Sequence, residues 1–262
     1  MIEKVLLHHV YFGTSQTIMR NWKMFDQIIK KYYRKIEVKN FGSRDFLPKK
    51  RKQEILGTAM SAVNAWKLPQ GDYLEFGVWE GRSFAFAYHQ AKRYDLDMEF
   101  FAFDSFKGLP EIGNDDARTG IFKKGDYSCS EENFTKNMIH SGVNVEDIQI
   151  ISGFYSDTLK PSLLSELRIK KASIVFIDCD LYPSTRLALE FITDILETGS
   201  FLIFDDWFCY GGDPNSGEMK ATREWLKKNP HITLVEYKKF GIDGNSFLVN
   251  IDNKFSEKKK NT

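Results

Sequence analysis

The sequence predicts a Rossmann-like α/β fold, with one seven-stranded, mostly parallel sheet whose last strand runs antiparallel, behind a helical N-terminal extension. Three observations predict it. Short apolar runs alternate with amphipathic stretches from Tyr73 to Trp207, the pattern of successive strand-helix units. Two of those runs end abruptly in acid, at Asp178 and at Asp205-Asp206, and the 27 residues from Asp178 to Asp205 are about one strand-helix-strand unit. The last two apolar runs, 233–236 and 246–249, are joined through Gly241 and Gly244 and read as an antiparallel hairpin.

Residues 1–68 lack this alternation and are expected to form the extension or a lid. Ile18, Trp22, Phe25, Ile28, Ile29 and Tyr32 recur at spacings of three and four, one apolar helix face with Lys and Arg opposite. A second helix is expected over about residues 50–66, after Gly42, Ser43 and Pro48. Such a preface either packs on the sheet or closes over a ligand. The main domain is expected over 69–252, with 253–262 a solvated tail.

The first strand, 73–77, turns through Gly77 and Gly81 into a helix reaching about Arg93. The glycines allow a sharp turn and a close approach of backbone to ligand, and Ser83 is expected to cap the helix. This is not the dinucleotide fingerprint, because Trp79 and Arg82 stand where it requires glycine. Glu75, Gly77 and Gly81 follow instead the ExGxxxG pattern of S-adenosylmethionine sites, with Trp79 and Ser83 beside them. The second strand, 98–103, ends at Asp104, which can accept hydrogen bonds from both ribose hydroxyls of an adenosine or simply end its strand. Ser105 and Phe106 follow. Residues 105–130 are then irregular and glycine-rich, a loop long enough to suggest a lid. A helix over 131–139 and a third strand, 148–152, lead to Gly153 and Phe154, whose ring can stack on an adenine or belong to the core. After Tyr155-Ser156-Asp157-Thr158-Leu159 a helix is expected to about Leu167, then another opened by Pro183, and a last one over 218–228.

Composition excludes several classes. Lys plus Arg number 37 and Asp plus Glu 36, so no net field recommends nucleic acid or an anionic membrane as partner. Cys129, Cys179 and Cys209 are odd in number and show no CxxC spacing, which suggests neither a disulfide framework nor a zinc site. Cys179 is expected to be a small buried thiol. No apolar run is long enough for a signal-peptide core or a membrane span, so a cytoplasmic protein is expected.

If the strands ending at Ile177 and Phe204 are parallel neighbours, Asp178, Asp205 and Asp206 converge at the edge of the sheet where ligands bind. Three converging carboxylates repel unless a cation lies between them, and a hard divalent ion with oxygen ligands, Mg²⁺ first, suits them. The plainer alternative is that each Asp ends its strand or caps the next helix.

Together, five segments resemble the macrocin O-methyltransferase (TylF-type) family. They are Tyr73 to Gly81, Phe103-Asp104-Ser105-Phe106-Lys107-Gly108-Leu109-Pro110, Gly153 to Leu159, Ile177-Asp178-Cys179-Asp180-Leu181-Tyr182-Pro183-Ser184-Thr185 and Phe204-Asp205-Asp206-Trp207. The resemblance covers about residues 40–250 and implies a class I methyltransferase fold, S-adenosylmethionine and Mg²⁺ as cofactors, and a sugar hydroxyl of a glycoside, natural product or surface polysaccharide as methyl acceptor. It also implies Asp104 at the ribose and Asp178, Asp205 and Asp206 at the metal. Arg82 stands where the family often has a small residue, and the family's N-terminal GxDWP-like motif appears only as Ser43-Arg44-Asp45-Phe46-Leu47-Pro48, which leaves the acceptor open.

A sugar hydroxyl is a poor nucleophile, so the chemistry needs a metal to acidify it and a carboxylate to take its proton. Asp178 is the first candidate for that base and Asp180 the second; Asp180 can equally be a helix cap before Pro183. The expected partners are a glycoside or saccharide acceptor and further copies of the chain, with no nucleic acid and no membrane. Two alternatives stand beside this reading: a catechol-type Mg²⁺-dependent O-methyltransferase, and a non-catalytic nucleoside-binding α/β module.

Overall fold

The computed structural model describes residues 46–117 and 120–252. The helix expected over residues 18–32 and the tail lie outside these. The described residues from Lys50 to Asp252 form one compact unit. The described elements are α1 (Phe46–Trp66), β1 (Asp72–Phe76), α2 (Arg82–Arg93), β2 (Phe100–Asp104), α3 (Glu131–His140), β3 (Ile148–Ser152), α4 (Tyr155–Thr158), α5 (Pro161–Glu166), β4 (Ala172–Ile177), α6 (Tyr182–Ile192), β5 (Leu196–Phe204), α7 (Gly217–Lys228), β6 (Ile232–Phe240) and β7 (Gly244–Ile251).

Seven strands form one sheet in the order β3-β2-β1-β4-β5-β7-β6. The first five are parallel, and β7 runs antiparallel to both β5 and β6. The chain leaves β1 first toward β2 and β3, then returns to β4 and β5 on the other side. The order therefore reverses beside β1, and such a switch point opens a crevice at the carboxyl ends of the strands.

The sheet is buried on both faces, and the pleat sorts its residues. Tyr73, Ile174, Phe176, Phe201 and Ile203 point to the face that packs against Ile55, Leu56, Ala59, Met60 and Val63 of α1 and Phe84 of α2. Leu74, Phe76, Val175, Ile177, Leu202 and Phe204 point to the other face, against Ala188 and Leu189 of α6 and Trp225 of α7. Residues 55–63 of α1 are thus part of the central core.

The stretch from Tyr155 to Leu167 holds two short helices: α4, which was not expected, and α5, which ends near the expected limit. Pro161 has no amide hydrogen to continue α4 and instead begins α5. The long loop after β2 is held at both ends and in the middle. Leu109 exchanges backbone hydrogen bonds with Gly125 and Asp126 at its neck. Asp115 pairs with Lys220 at 2.6 Å, and Asp116 Oδ1 accepts from the Tyr182 amide at 3.1 Å and the Tyr210 hydroxyl at 2.9 Å.

Candidate active site

The parallel register places Phe76 beside Ile177 and Ile177 beside Phe204, so three strands end level with one another. The ladder continues one residue further: the Asp178 amide donates to Phe76 O at 2.8 Å and the Asp205 amide to Ile177 O at 3.0 Å. Asp178, Asp205 and Asp206 are thereby brought together, each offering an oxygen within 4.8 Å of the others. Three carboxylate oxygens this close together could hold a hard divalent ion such as Mg²⁺.

The pleat also decides what surrounds them. Asp178 and Asp205 continue the parity of Phe176 and Ile203, on the face covered by α1. Lys52 of α1 lies 2.5 Å from Asp178 Oδ2 and 3.0 Å from Asp205 Oδ2, and Arg51 Nη2 lies 2.8 Å from Asp205 Oδ2. Asp206 has the opposite parity and meets α7, where its amide donates to Glu218 Oε2 at 3.1 Å. Glu218 is fully buried. Asp205 Oδ1, Asp206 Oδ2 and Glu218 Oε1 are buried with no hydrogen-bond partner.

Asp180 sits in the turn before α6 with φ +62°, nine-tenths buried and hydrogen-bonded to Asp206. It does not cap α6; Leu181 occupies the cap position without a side-chain bond, and the distant Asp116 serves the first-turn amide instead. Burial, and then the neighbouring carboxylates, raise Asp180, Asp206 and Glu218 above the usual carboxylate range. For Lys52, burial acts to lower the pKa, but Asp178 and Asp205 outweigh it and hold the ammonium protonated. Five carboxylates thus face two cationic side chains.

The expected cofactor turn is tightly built. Gly77 has φ +89°, and a Cβ there would lie 1.9 Å from the Asp178 carbonyl oxygen. Gly81, at φ +82°, precedes α2 and lies against Phe134 and Met138. Trp79 is exposed, with its ring edge-to-face against Tyr127 of the long loop. Asp104 Oδ2 accepts from the Val78 and Trp79 amides at 2.9 and 3.0 Å, while Oδ1 accepts from Phe106 N at 2.8 Å. A carboxylate has about four acceptor positions, so one remains for a ligand hydroxyl.

Other expected site residues face inward. Ser83 is inside α2, not its cap, because its hydroxyl reaches back 2.6 Å to Glu75 Oε1. The Tyr73 hydroxyl takes Glu75 Oε2, so both oxygens of this buried carboxyl are engaged within the protein. Ser105 closes the turn onto Gly108 O, and Phe106 packs on Phe134. Gly153 donates its amide to Asp104 O at 2.9 Å, and Phe154, half-buried, begins α4.

Burial raises the Glu75 carboxyl to about 8, against hydrogen bonds from Ser83 and Tyr73 that lower it. The folded chain therefore keeps a proton that the unfolded chain releases above about pH 4.5. Stability is expected to fall as pH rises from about 4.5 to about 8. In urea titrations of chelator-treated protein, Glu75→Gln should lose less stability between pH 5.5 and 8 than the parent chain. An unchanged slope would contradict this, since the other raised carboxylates add to the slope in both chains.

Residues 1–229 match the Macrocin-O-methyltransferase (TylF) family. The chain belongs to that family. It is 30% identical over 143 residues to an 8-demethyl-8-(2,3-dimethoxy-alpha-L-rhamnosyl)-tetracenomycin-C 4'-O-methyltransferase of Streptomyces olivaceus, covering 52% of this chain and 53% of that one. To a mycinamicin III 3''-O-methyltransferase of Micromonospora griseorubida it is 29% identical over 145 residues, covering 52% and 55%. The chain thus spans about half the length of the curated relatives it matches. Among solved structures it is similar to the O-methyltransferase NovP, with a TM-score of 0.64 and 23% identity over 77% of this chain and 80% of that one. The TylF-family chain therefore has the expected Rossmann-like class I methyltransferase fold. Among the described residues no helix is long and apolar enough to cross a membrane.

Lys52, Arg51, Glu218 and Asp116 are the site residues that sequence reasoning missed. Lys52 lay hidden in the basic run Lys49-Lys50-Arg51-Lys52, which reads as a solvated face.

Proposed function

We propose that this TylF-family chain is an S-adenosylmethionine- and Mg²⁺-dependent O-methyltransferase whose acceptor is a sugar hydroxyl of a glycoside. The observation that carries the reading is the meeting of Asp178, Asp205 and Asp206 at the carboxyl ends of adjacent strands, beside the Gly77 turn. Hard carboxylate oxygens, two of them buried and bare, suit Mg²⁺. The names of the tetracenomycin and mycinamicin relatives support a sugar-bearing acceptor.

When bound, Mg²⁺ would acidify and orient the acceptor hydroxyl, and S-adenosylmethionine would present an electrophilic methyl group. Asp178, Asp205 and Asp206 would hold the ion. Asp104 would take a ribose hydroxyl with its remaining acceptor position, and Gly77 and Gly81 would let the β1–α2 turn follow the methionine part. Glu75 and Ser83 brace that turn from beneath. Asp180 takes the acceptor's proton: unlike Asp178 it is not tied to Lys52, and it lies against Asp206. Phe154, after the end of β3, would border the adenine. The start of α1 from Arg51 and the loop around Tyr127, whose ring meets Trp79, would border the acceptor, as segments outside the core sheet commonly do.

The test is a calorimetric titration of S-adenosylhomocysteine, then Mg²⁺, into the purified chain. Micromolar nucleoside binding followed by a metal heat is expected. A folded sample that binds no nucleoside would overturn the cofactor assignment.

A further inference from the structure

Resting on the proposed metal site, we infer that Lys52 and Arg51 of α1 are positioning residues for the ion, holding the outer oxygens of its carboxylate ligands. They are not a built-in substitute for it. Both cations engage the same side of the pair. Lys52 bridges Asp178 Oδ2 and Asp205 Oδ2 at 2.5 and 3.0 Å, and Arg51 Nη2 adds a second contact to Asp205 Oδ2 at 2.8 Å. The opposite oxygen, Asp205 Oδ1, is buried and bare, as is Asp206 Oδ2. A carboxylate pinned through one oxygen presents the other in a fixed direction, the arrangement by which outer partners orient metal ligands.

The bare oxygens decide between a support and a substitute. Lys52 reaches Asp178 Oδ2 and Asp205 Oδ2 but leaves Asp205 Oδ1 and Asp206 Oδ2 without a partner, which an ammonium seated in place of the ion should have satisfied.

Both cations are held in register. Arg51 lies over Gly241, where a Cβ would come within 2.2 Å of its side chain, and its Nη1 is 3.7 Å from Asp243 in the β6–β7 turn. Lys52 lies 5.8 Å from the centre of the Phe176 ring. Residues 55–63 of the same helix are in the core, so the pair approaches the site from a rigid element. The basic start of α1, which sequence reading assigned to an extension, is on this account part of the metal centre.

The experiment compares Mg²⁺ and Mn²⁺ affinity, by calorimetry at fixed pH, in the full chain and in Lys52→Met and Lys52→Arg, with S-adenosylhomocysteine affinity measured on each sample. Lys52→Met keeps the length of the side chain and removes its charge. It should weaken metal binding roughly 10- to 100-fold while nucleoside affinity stays within about twofold. Lys52→Arg should recover most of the loss, which a merely structural role would not require. Metal binding that is unchanged or tighter in Lys52→Met would overturn the inference and mark Lys52 as a competitor for the seat. If the parent chain binds nucleoside but no metal, the metal reading itself fails, and this inference with it.

Discussion

Replacing Asp206 by Asn is expected to lower Mg²⁺-supported methyl transfer by roughly 100-fold or more while leaving the metal-free chain at least as stable as the parent. The two effects have one cause. Asp206 is nine-tenths buried with one bare oxygen, and burial and then the neighbouring carboxylates disfavour its charged form when no ion is present. Asn carries no charge and keeps an amide able to donate to Asp180, but it removes one of the three carboxylates offered to the metal. The amide that Asp206 donates to Glu218 belongs to the backbone and survives the change. Thermal melts in chelator and initial rates in Mg²⁺ check the two halves. A variant that lost stability in proportion to activity would assign Asp206 to the fold instead of the site.

The second large effect is structural. Gly77→Ala should destabilise the chain by roughly 3 kcal/mol or more, a fall in melting temperature of about 6–12 °C. At φ +89° an added Cβ would meet the Asp178 carbonyl oxygen at 1.9 Å, a backbone atom that cannot swing aside. Both strands would have to part, although Gly77 N–H to Phe103 O and Asp178 N–H to Phe76 O, each at 2.8 Å, stitch this edge together. The same movement would shift Asp178, so the variant that folds should also bind metal more weakly. Denaturant unfolding and metal titration of the same sample measure both; a loss below about 1 kcal/mol would show that the crossing of β1 and β4 is looser than described.

The strand-end aspartates were legible because strand parity and length are local properties. An apolar run ending in Asp, repeated one strand-helix-strand unit later, forces Asp178 and Asp205 to adjacent strand ends once the strands are parallel. The glycine turn and the irregular loop were legible for the same reason. What could not be read were contacts across the pleat. Nothing in the spacing of the basic run before residue 53 tells which cation turns inward; that follows from the face of the sheet on which α1 packs. Glu218 looked like an ordinary acidic first-turn residue, and only the opposite parity of Asp206 brings it into the site. Ser83 was misread as a cap because a buried carboxyl two residues before Gly77 claims its hydroxyl. The cap of α6 comes from Asp116, 66 residues upstream, a pairing no local pattern encodes.

The deciding assay follows methyl transfer from S-adenosylmethionine to a panel of glycosides, with Mg²⁺ present and with the metal removed by chelator. Methylation of a sugar hydroxyl should disappear with the metal and return when Mg²⁺ is restored. Transfer that persists without metal, or that goes to a catechol and to no glycoside, would contradict the proposed function.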